Sequence, residues 1–360
     1  MKSNILITSM GGYGSLSVSK DISLKLKKKI NFFGTHNDYY LLKRAENDCK
    51  KIILVPGVKN KKLYIKKHLN LLKKFKIDYI VPNSDREVYV FSQNKKKILS
   101  KMFLPDLVDI KICQNKKYFL NFLKKYNFNY PRFVHVKSKS QIEKFLKDKK
   151  TKKFYIRITS ETSEGAYGAA VLDNKKQLNL WLKIWKDFKN EKMSSFTLSE
   201  YLPGKVYENL LIFHRGELII SKVYENLKYH LTSNAITSAG STPATARSCG
   251  EYISKSITLQ TCQIIKKLSE VNKTEPNGVY HSSVRLDKSN RPNITEINIG
   301  RFPSTNTIFN FYGKENITEI YFKILMGIGT KLKNCVDHDY GKSVIISRSL
   351  DQKPFVFKEK

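Results

Sequence analysis

No stretch of this sequence stays apolar long enough to cross a bilayer, and the apolar start at Ile5 to Ile7 is far too short for a secretory leader. Cysteine is sparse and scattered. Cys49, Cys113, Cys249, Cys262 and Cys335 are odd in number and form no CxxC pair or Cys/His cluster. That excludes structural zinc and a disulfide framework, and predicts a reduced, cytoplasmic protein. No internal repeat or disordered linker stands out, so the chain reads as packed domains rather than an array. Acid is scarce: 31 Asp and Glu stand against 66 Lys and Arg, a formal net charge of +35. Such a charge suits a binder of nucleic acid or anionic membranes. Here the lysines are spread over the whole chain, as an A+T-rich genome would write them. Their runs (Lys27 to Lys29, Lys95 to Lys97, Lys152-Lys153) sit at element ends and amphipathic faces. No strand motif of interleaved aromatic and basic residues accompanies them. The charge predicts a general pull on anionic small molecules, with no specific nucleic acid and no membrane as partner.

What is present, over 360 residues, is enough for two or three domains with sizeable cores. Short apolar runs at Asn4 to Thr8, Ile30 to Gly34, Ile52 to Val58 and Asp78 to Pro82 alternate with helical patterns, which predicts a parallel α/β domain of Rossmann-like type. The first turn carries Gly12-x-Gly14, but Ser17 stands where a dinucleotide fingerprint has its third glycine, so a tight structural turn competes with a binding role. Asp38 lies where a ribose-binding acid would be. Pro82-Asn83-Ser84-Asp85-Arg86-Glu87 follows the fourth strand, and Ser84 with Glu87 fits either a helix capping box or a ligand site.

A helix from Asn115-Lys116 leads to the strand Phe154 to Ile158, which contains Arg157. A small-residue turn, Ser160 to Gly168, returns into a second strand and predicts a hairpin whose backbone N–H groups close over phosphate. Trp181, Ile184, Trp185 and Phe188 read as the core face of a helix. Phe196 to Glu200 is a strand followed by Tyr201-Leu202-Pro203-Gly204; two further strands precede a Ser/Thr/Ala/Gly-rich loop, Thr232 to Thr245, closed by Arg247. Then come two strands around the turn Lys288 to Asn293. In the second, Ile297 and Ile299 point one way and Glu296 and Asn298 the other. A carboxylate beside a carboxamide is a hard-oxygen set that suits Mg²⁺ bridging to phosphate, though an exposed polar strand face has the same pattern. Ser283 and Arg285 share a strand face, Arg301 follows the Glu-x-Asn strand, and a small hairpin is expected around Asp351 to Pro354.

Taken in order, these pieces resemble the ATP-grasp enzymes, closest to the carbamoyl-phosphate synthase large-subunit and carboxylate–amine ligase branch, over nearly the whole chain. The resemblance implies an α/β (α+β) chain. Its expected parts are a Rossmann-like pre-domain (1–108), a small lid lobe (109–192), a large lobe with the metal site (193–335) and a tail (336–360). It implies ATP with Mg²⁺ (or Mn²⁺) and small-molecule carboxylate and amine substrates, with a homodimer among the open oligomeric states. Lys116 and Arg157 would contact ATP phosphate, and Ser163, Gly165 and Gly168 would form the phosphate loop. Glu200, Tyr201 and Leu202 would form the adenine hinge. Glu208 would stand in for the ribose-binding glutamate that Val206 replaces. Glu296, Asn298 and Ser283 would occupy metal positions, and Arg285, Arg301 and Arg247 would meet the acyl phosphate or substrate. The implied reaction phosphorylates a carboxylate and lets an amine displace the phosphate. Three departures stand out: Val206, Ser283 in place of an acidic or amide metal ligand, and Ile299-Gly300-Arg301 after Glu-x-Asn. They leave a second reading open, an ATP-binding regulatory or degenerate member without ligase turnover.

Overall fold

The computed structural model describes residues 2–99, 101–147, 153–159, 168–230, 243–348 and 355–358. Its first sheet is parallel. Strands Ser3–Ile7 (β1), Ile30–His36 (β2), Lys51–Leu54 (β3), Tyr79–Val81 (β4) and Lys101–Met102 (β5) lie in the order β3-β2-β1-β4-β5. Helices Tyr13–Lys20 (α1), Leu24–Lys27 (α2), Tyr39–Lys43 (α3), Lys61–Lys74 (α4) and Asp85–Gln93 (α5) connect them. The strand order reverses between β1 and β4, which places a crevice at their carboxyl ends. Glu87 fastens those two ends: it accepts hydrogen bonds from Thr8 (2.7 Å), Ser9 (2.7 Å), Ser84 (3.0 Å) and Tyr64 (2.8 Å). Ser84 caps α5, as the capping box predicts, and Asp38 caps α3.

The second sheet has four antiparallel-paired strands, Phe133–His135 (β6), Phe154–Ile158 (β7), Ala170–Leu172 (β8) and Phe196–Glu200 (β9), in the order β6-β9-β7-β8. Helices Leu107–Gln114 (α6), Lys116–Lys125 (α7), Lys139–Leu146 (α8) and Lys175–Lys189 (α9) surround it in sequence. The expected hairpin is present, Phe154 opposite Leu172. On α9, Leu178 is buried and Trp181 and Trp185 pack on the lobe core, but Ile184 is 37% and Phe188 81% exposed. The core stripe therefore runs through 178, 181 and 185, and the helix is too short of neighbours to bury a wider face.

The third sheet has eight strands. Val206–His214 (β10), Glu217–Tyr229 (β11), Pro243–Ser248 (β12), Gly278–Leu286 (β13), Pro292–Ile299 (β14), Val344–Ser347 (β16) and Phe355–Lys358 (β17) form the path β14-β13-β10-β11-β12-β16-β17, and Cys335–Asp337 (β15) pairs with β11. Helices Glu251–Asn272 (α10), Asn306–Asn310 (α11) and Ile317–Leu325 (α12) complete it. Two pairings cross the sequence boundaries: β9 pairs with the lid strands β6 and β7, and the tail strands pair with β11 and β12. In the tail, β16 pairs with β17, and the expected hairpin positions Asp351 to Pro354 lie outside the described residues. One apolar cluster joins Ile5 and Ile7 of β1 to Leu210 and Ile212 of β10 and to α12, so the parallel domain and the large lobe share a core.

Candidate active site

Alternation along β14 puts Glu296 and Asn298 on one face, and pairing with β13 sets Ser283 opposite Glu296 and His281 opposite Asn298. Two cations from other elements meet Glu296. Arg157, on β7 of the small lobe, donates to its Oε2 at 3.2 Å, and Lys116, the first residue of α7, lies 3.7 Å from the same oxygen. All three are largely shielded, with side chains 15%, 13% and 23% exposed for Arg157, Lys116 and Glu296. Burial pushes the Glu296 carboxyl up, but Lys116 and Arg157 outweigh it and hold the group at about 2. Lys116 is pushed below its ordinary value, by burial first and then by the charge of Arg157.

Arg301 closes the other side. Its guanidinium forks onto Asp85 of α5, at 2.6 and 2.9 Å, and also donates to Asn298 Oδ1 at 3.1 Å. Gly300 makes that turn feasible: its φ is +80°, and a Cβ there would stand 2.7 Å from Val88. Strand β14 is thus tied to the crevice of the parallel domain by a pair 216 residues apart in sequence.

Across β13, on β10, Glu208 pairs with Ser283 in register. Ser283 Oγ donates to Glu208 Oε2 at 2.8 Å, Asn226 Nδ2 to Oε1 at 3.1 Å, and His281 Nε2 lies 3.1 Å from Oε2. Asn298 Nδ2 approaches the other ring nitrogen of His281, Nδ1, at 3.4 Å. Sequence reasoning did not single out His281 or Asn226. His281 shares the alternating face of Ser283 and Arg285, so that signal was there; Asn226 had none without strand register.

The hinge forms as a junction of lobes. Glu200 Oε1 accepts the backbone N–H of Arg132 at 2.8 Å, and Tyr201 N donates to Lys153 O at 3.2 Å. Gly204 packs so closely on Leu286 that a Cβ would stand 2.6 Å from that side chain. Arg285 belongs here: it donates to Leu202 O at 3.1 Å and its guanidinium sits 5.3 Å from the Tyr201 ring centroid. Arg285, expected at an acyl phosphate or substrate, thus lies beside Tyr201 and Leu202 in this structure. Arg247 is also placed elsewhere. It pairs with Glu225 at 3.8 Å, and strand parity puts both on the sheet face opposite Glu208 and Ser283. Of the three arginines, only Arg301 joins the Glu296 cluster. Gly168 accepts from Trp181 Nε1 at 3.2 Å, while Ser163 and Gly165 lie outside the described residues, as does the loop at 231–242.

Comparison with known proteins turns on this architecture. No family model matches the sequence, and no curated protein matches it. Solved structures do. The biotin carboxylase domain of 2-oxoglutarate carboxylase from Hydrogenobacter thermophilus, determined with MgADP and bicarbonate, superposes with a TM-score of 0.72 at 10% identity, over 97% of this chain and 74% of that one. N5-carboxyaminoimidazole synthetase from Staphylococcus aureus, complexed with ADP, gives 0.71 at 14% identity, over 97% and 83%. The L-amino acid ligase from Bacillus licheniformis gives 0.67 at 11%, over 98% and 81%. The chain has the ATP-grasp fold. At these identities the likeness establishes the fold alone.

Among the described residues, no group of three or more His, Cys, Asp or Glu could hold a metal ion by itself. An ATP-grasp site does not require one, because Mg²⁺ keeps waters and phosphate oxygens and takes only one or two carboxylates from protein. The donor set fits such an ion: Glu296 is ionised well below neutral pH, and Asn298 adds an amide oxygen on the same face.

Proposed function

We propose that this chain is an ATP- and Mg²⁺-dependent ligase of the ATP-grasp type. It activates a small carboxylate as an acyl phosphate for attack by an amine, in the manner of carboxylate–amine ligases and carbamoyl-phosphate synthase. The observation that carries this is the convergence of Lys116 and Arg157, from different elements, on the ionised Glu296. In the protein alone Glu296 offsets part of this positive charge. A polyphosphate offers both cations a better-matched partner. It would draw them from Glu296 and leave that carboxylate, with Asn298, facing a divalent ion. Mg²⁺, when bound, would neutralise the charge that builds up on the β,γ-bridging oxygen as it leaves with ADP.

Phosphoryl transfer of this kind needs positioning and charge rather than a protein nucleophile. Lys116 and Arg157 hold the phosphates. The hinge at Glu200 to Leu202 offers backbone donors and acceptors for the base, and Tyr201 backs it with a ring. Arg301, held by Asp85 and Asn298, fixes a positive charge at the end of β14, beside which a carboxylate or its acyl phosphate would sit. The crevice between β1 and β4 opens beside it, and the amine enters from there.

The test incubates purified protein with ATP, Mg²⁺ and pooled amino acids and other carboxylates, following ADP and phosphate. Acceptor-dependent ADP release is the expected result. A rise in melting temperature with Mg²⁺-ATP but no ADP release under any pool would support the degenerate reading, which Ser283 and Val206 favour. No thermal shift at millimolar Mg²⁺-ATP would sink both.

A further inference from the structure

We infer an anion-binding groove on the parallel domain, outside the candidate active site, that takes a small organic phosphate ester with an apolar or aromatic body. It does not rest on the nucleotide reading above. The groove lies between α4 and the end of α5 and measures about 340 Å³, at the low end of the range for small-molecule sites. Helical spacing builds it. Ile65 and Leu69, four apart on α4, form an apolar floor, and Lys62 and Lys66, also four apart, border that floor on the same helix. From the α5 side come Asn94, which ends that helix, and Lys97 of the run Lys95 to Lys97. Lys61 reaches across as well, its ammonium 5.1 Å from the Tyr89 ring centroid. Asp85 begins α5 and Asn94 ends it, so a helix of about 13 Å separates the groove from the Asp85–Arg301 fork.

The charge pattern sets this groove apart from the rest of a basic surface. Helix α4 carries lysine at 61, 62, 66, 67, 73 and 74 and no acid. Lys62 and Lys66 repel each other as a like-charge pair one turn apart. Other helices answer their lysines: Lys255 pairs with Glu251, Lys267 with Glu270 and Lys323 with Glu319. Among the described residues, no carboxylate pairs with Lys61, Lys62, Lys66 or Lys97. These four ammonium groups surround one small space, and an anion entering it relieves their repulsion. A lysine ammonium is a compact point charge that suits phosphate. The floor asks for something different. Covering Leu69 and the edge of Ile65 takes hydrocarbon or a ring out of water with them. A bare phosphate leaves that floor wet, and a bare hydrocarbon leaves the lysines unanswered. A phosphate ester meets both demands.

The ligand probe is 1-naphthyl phosphate, and the readout is the acetylation of each lysine, followed by mass spectrometry. Millimolar 1-naphthyl phosphate is expected to slow acetylation of Lys62, Lys66 and Lys97 and to leave Lys28 and Lys29, in an exposed run elsewhere on the domain, unchanged. Lys66→Gln should weaken the probe by about tenfold or more, the worth of a charge-assisted hydrogen bond. It should not lower the melting temperature, because it removes one member of a like-charge pair. Leu69→Gln should weaken 1-naphthyl phosphate and leave protection by inorganic phosphate as it was. Arg157→Ala should change none of this, so loss of the nucleotide reading would leave the groove standing. Equal protection of Lys28 and Lys29 would overturn the inference, since charge would then act diffusely. Native affinity in Lys66→Gln, or no protection of the groove lysines, would overturn it too. Protection by a single-stranded oligonucleotide but not by 1-naphthyl phosphate would assign the lysines to a nucleic-acid surface instead.

Discussion

Two ion pairs in this protein use the same chemistry to opposite ends. Lys222 and Asp337 are both fully buried. The lysine contacts Tyr312 O at 2.5 Å, Glu315 O at 2.6 Å and Asp337 Oδ2 at 3.1 Å, so all three ammonium protons are spent. Asp337 in turn accepts the backbone N–H groups of Lys314 and Glu315, each at 2.9 Å. Nothing there is left to offer a ligand. The Lys116–Arg157–Glu296 group is looser, partly exposed, and has two cations for one anion. The sealed pair holds β15 and the loop before α12 against β11. The open one stores positive charge where an anion can claim it. Burial of a charge is therefore no sign of function by itself.

The sharpest way to break this contrast is Lys222→Met. It leaves Asp337 charged and unpaired in the core, which costs about 3–5 kcal/mol. The melting temperature should fall steeply, while nucleotide affinity below the transition stays native. Adding Asp337→Asn should recover part of the loss, since the amide oxygen still accepts from Lys314 and Glu315 and the charge is gone. Native-like stability of Lys222→Met would mean that the pair carries no such weight.

How far the sequence reaches is visible in the same residues. Alternation along β14 was enough to pair Glu296 with Asn298, and the α/β alternation was enough to predict a parallel first sheet, because both depend on local periodicity. Arg157 stood out as a charge inside an apolar strand. What periodicity does not encode is register between strands. Arg247 and Glu208 look equally available in sequence, yet pairing puts Arg247 on the far face and sets Glu208 against Ser283. Arg285 has the right parity but lies at the hinge end of its strand, so Leu202 O captures it. The Asp85–Arg301 fork, the Lys222–Asp337 pair and the tail strands joining the large sheet all depend on long-range docking, for which no spacing rule exists.

A milder test works on the open pair. Arg157→Ala should raise the nucleotide concentration needed for half-saturation by about tenfold to a hundredfold, the worth of a charge-assisted hydrogen bond at roughly 1.5–3 kcal/mol. Lys96→Ala, in a solvated run, should leave it unchanged. Equal effects in the two titrations would show that charge acts diffusely over this basic protein and that Arg157 has no special place.

The smallest expected effect is in the acid limb of stability, and it separates the two regions without a ligand. Glu296 sits at about 2 in the folded chain against an ordinary 4.5, because Lys116 and Arg157 outweigh the upward push of burial. A carboxyl with a depressed folded value binds its proton more readily when unfolded. Its contribution is therefore fully present above about pH 4.5 and drains away as pH falls toward about 2. Glu296→Gln lacks this contribution at every pH. Urea unfolding at about pH 6 and about pH 3 should then show native protein losing more stability than the variant, the two curves converging on the acid side. Other carboxyls titrate in that range, so the difference between native and variant is the quantity to read. A constant difference between the two proteins across that range would mean that Lys116 and Arg157 do not hold Glu296 ionised, and the charge store at the site would lose its basis.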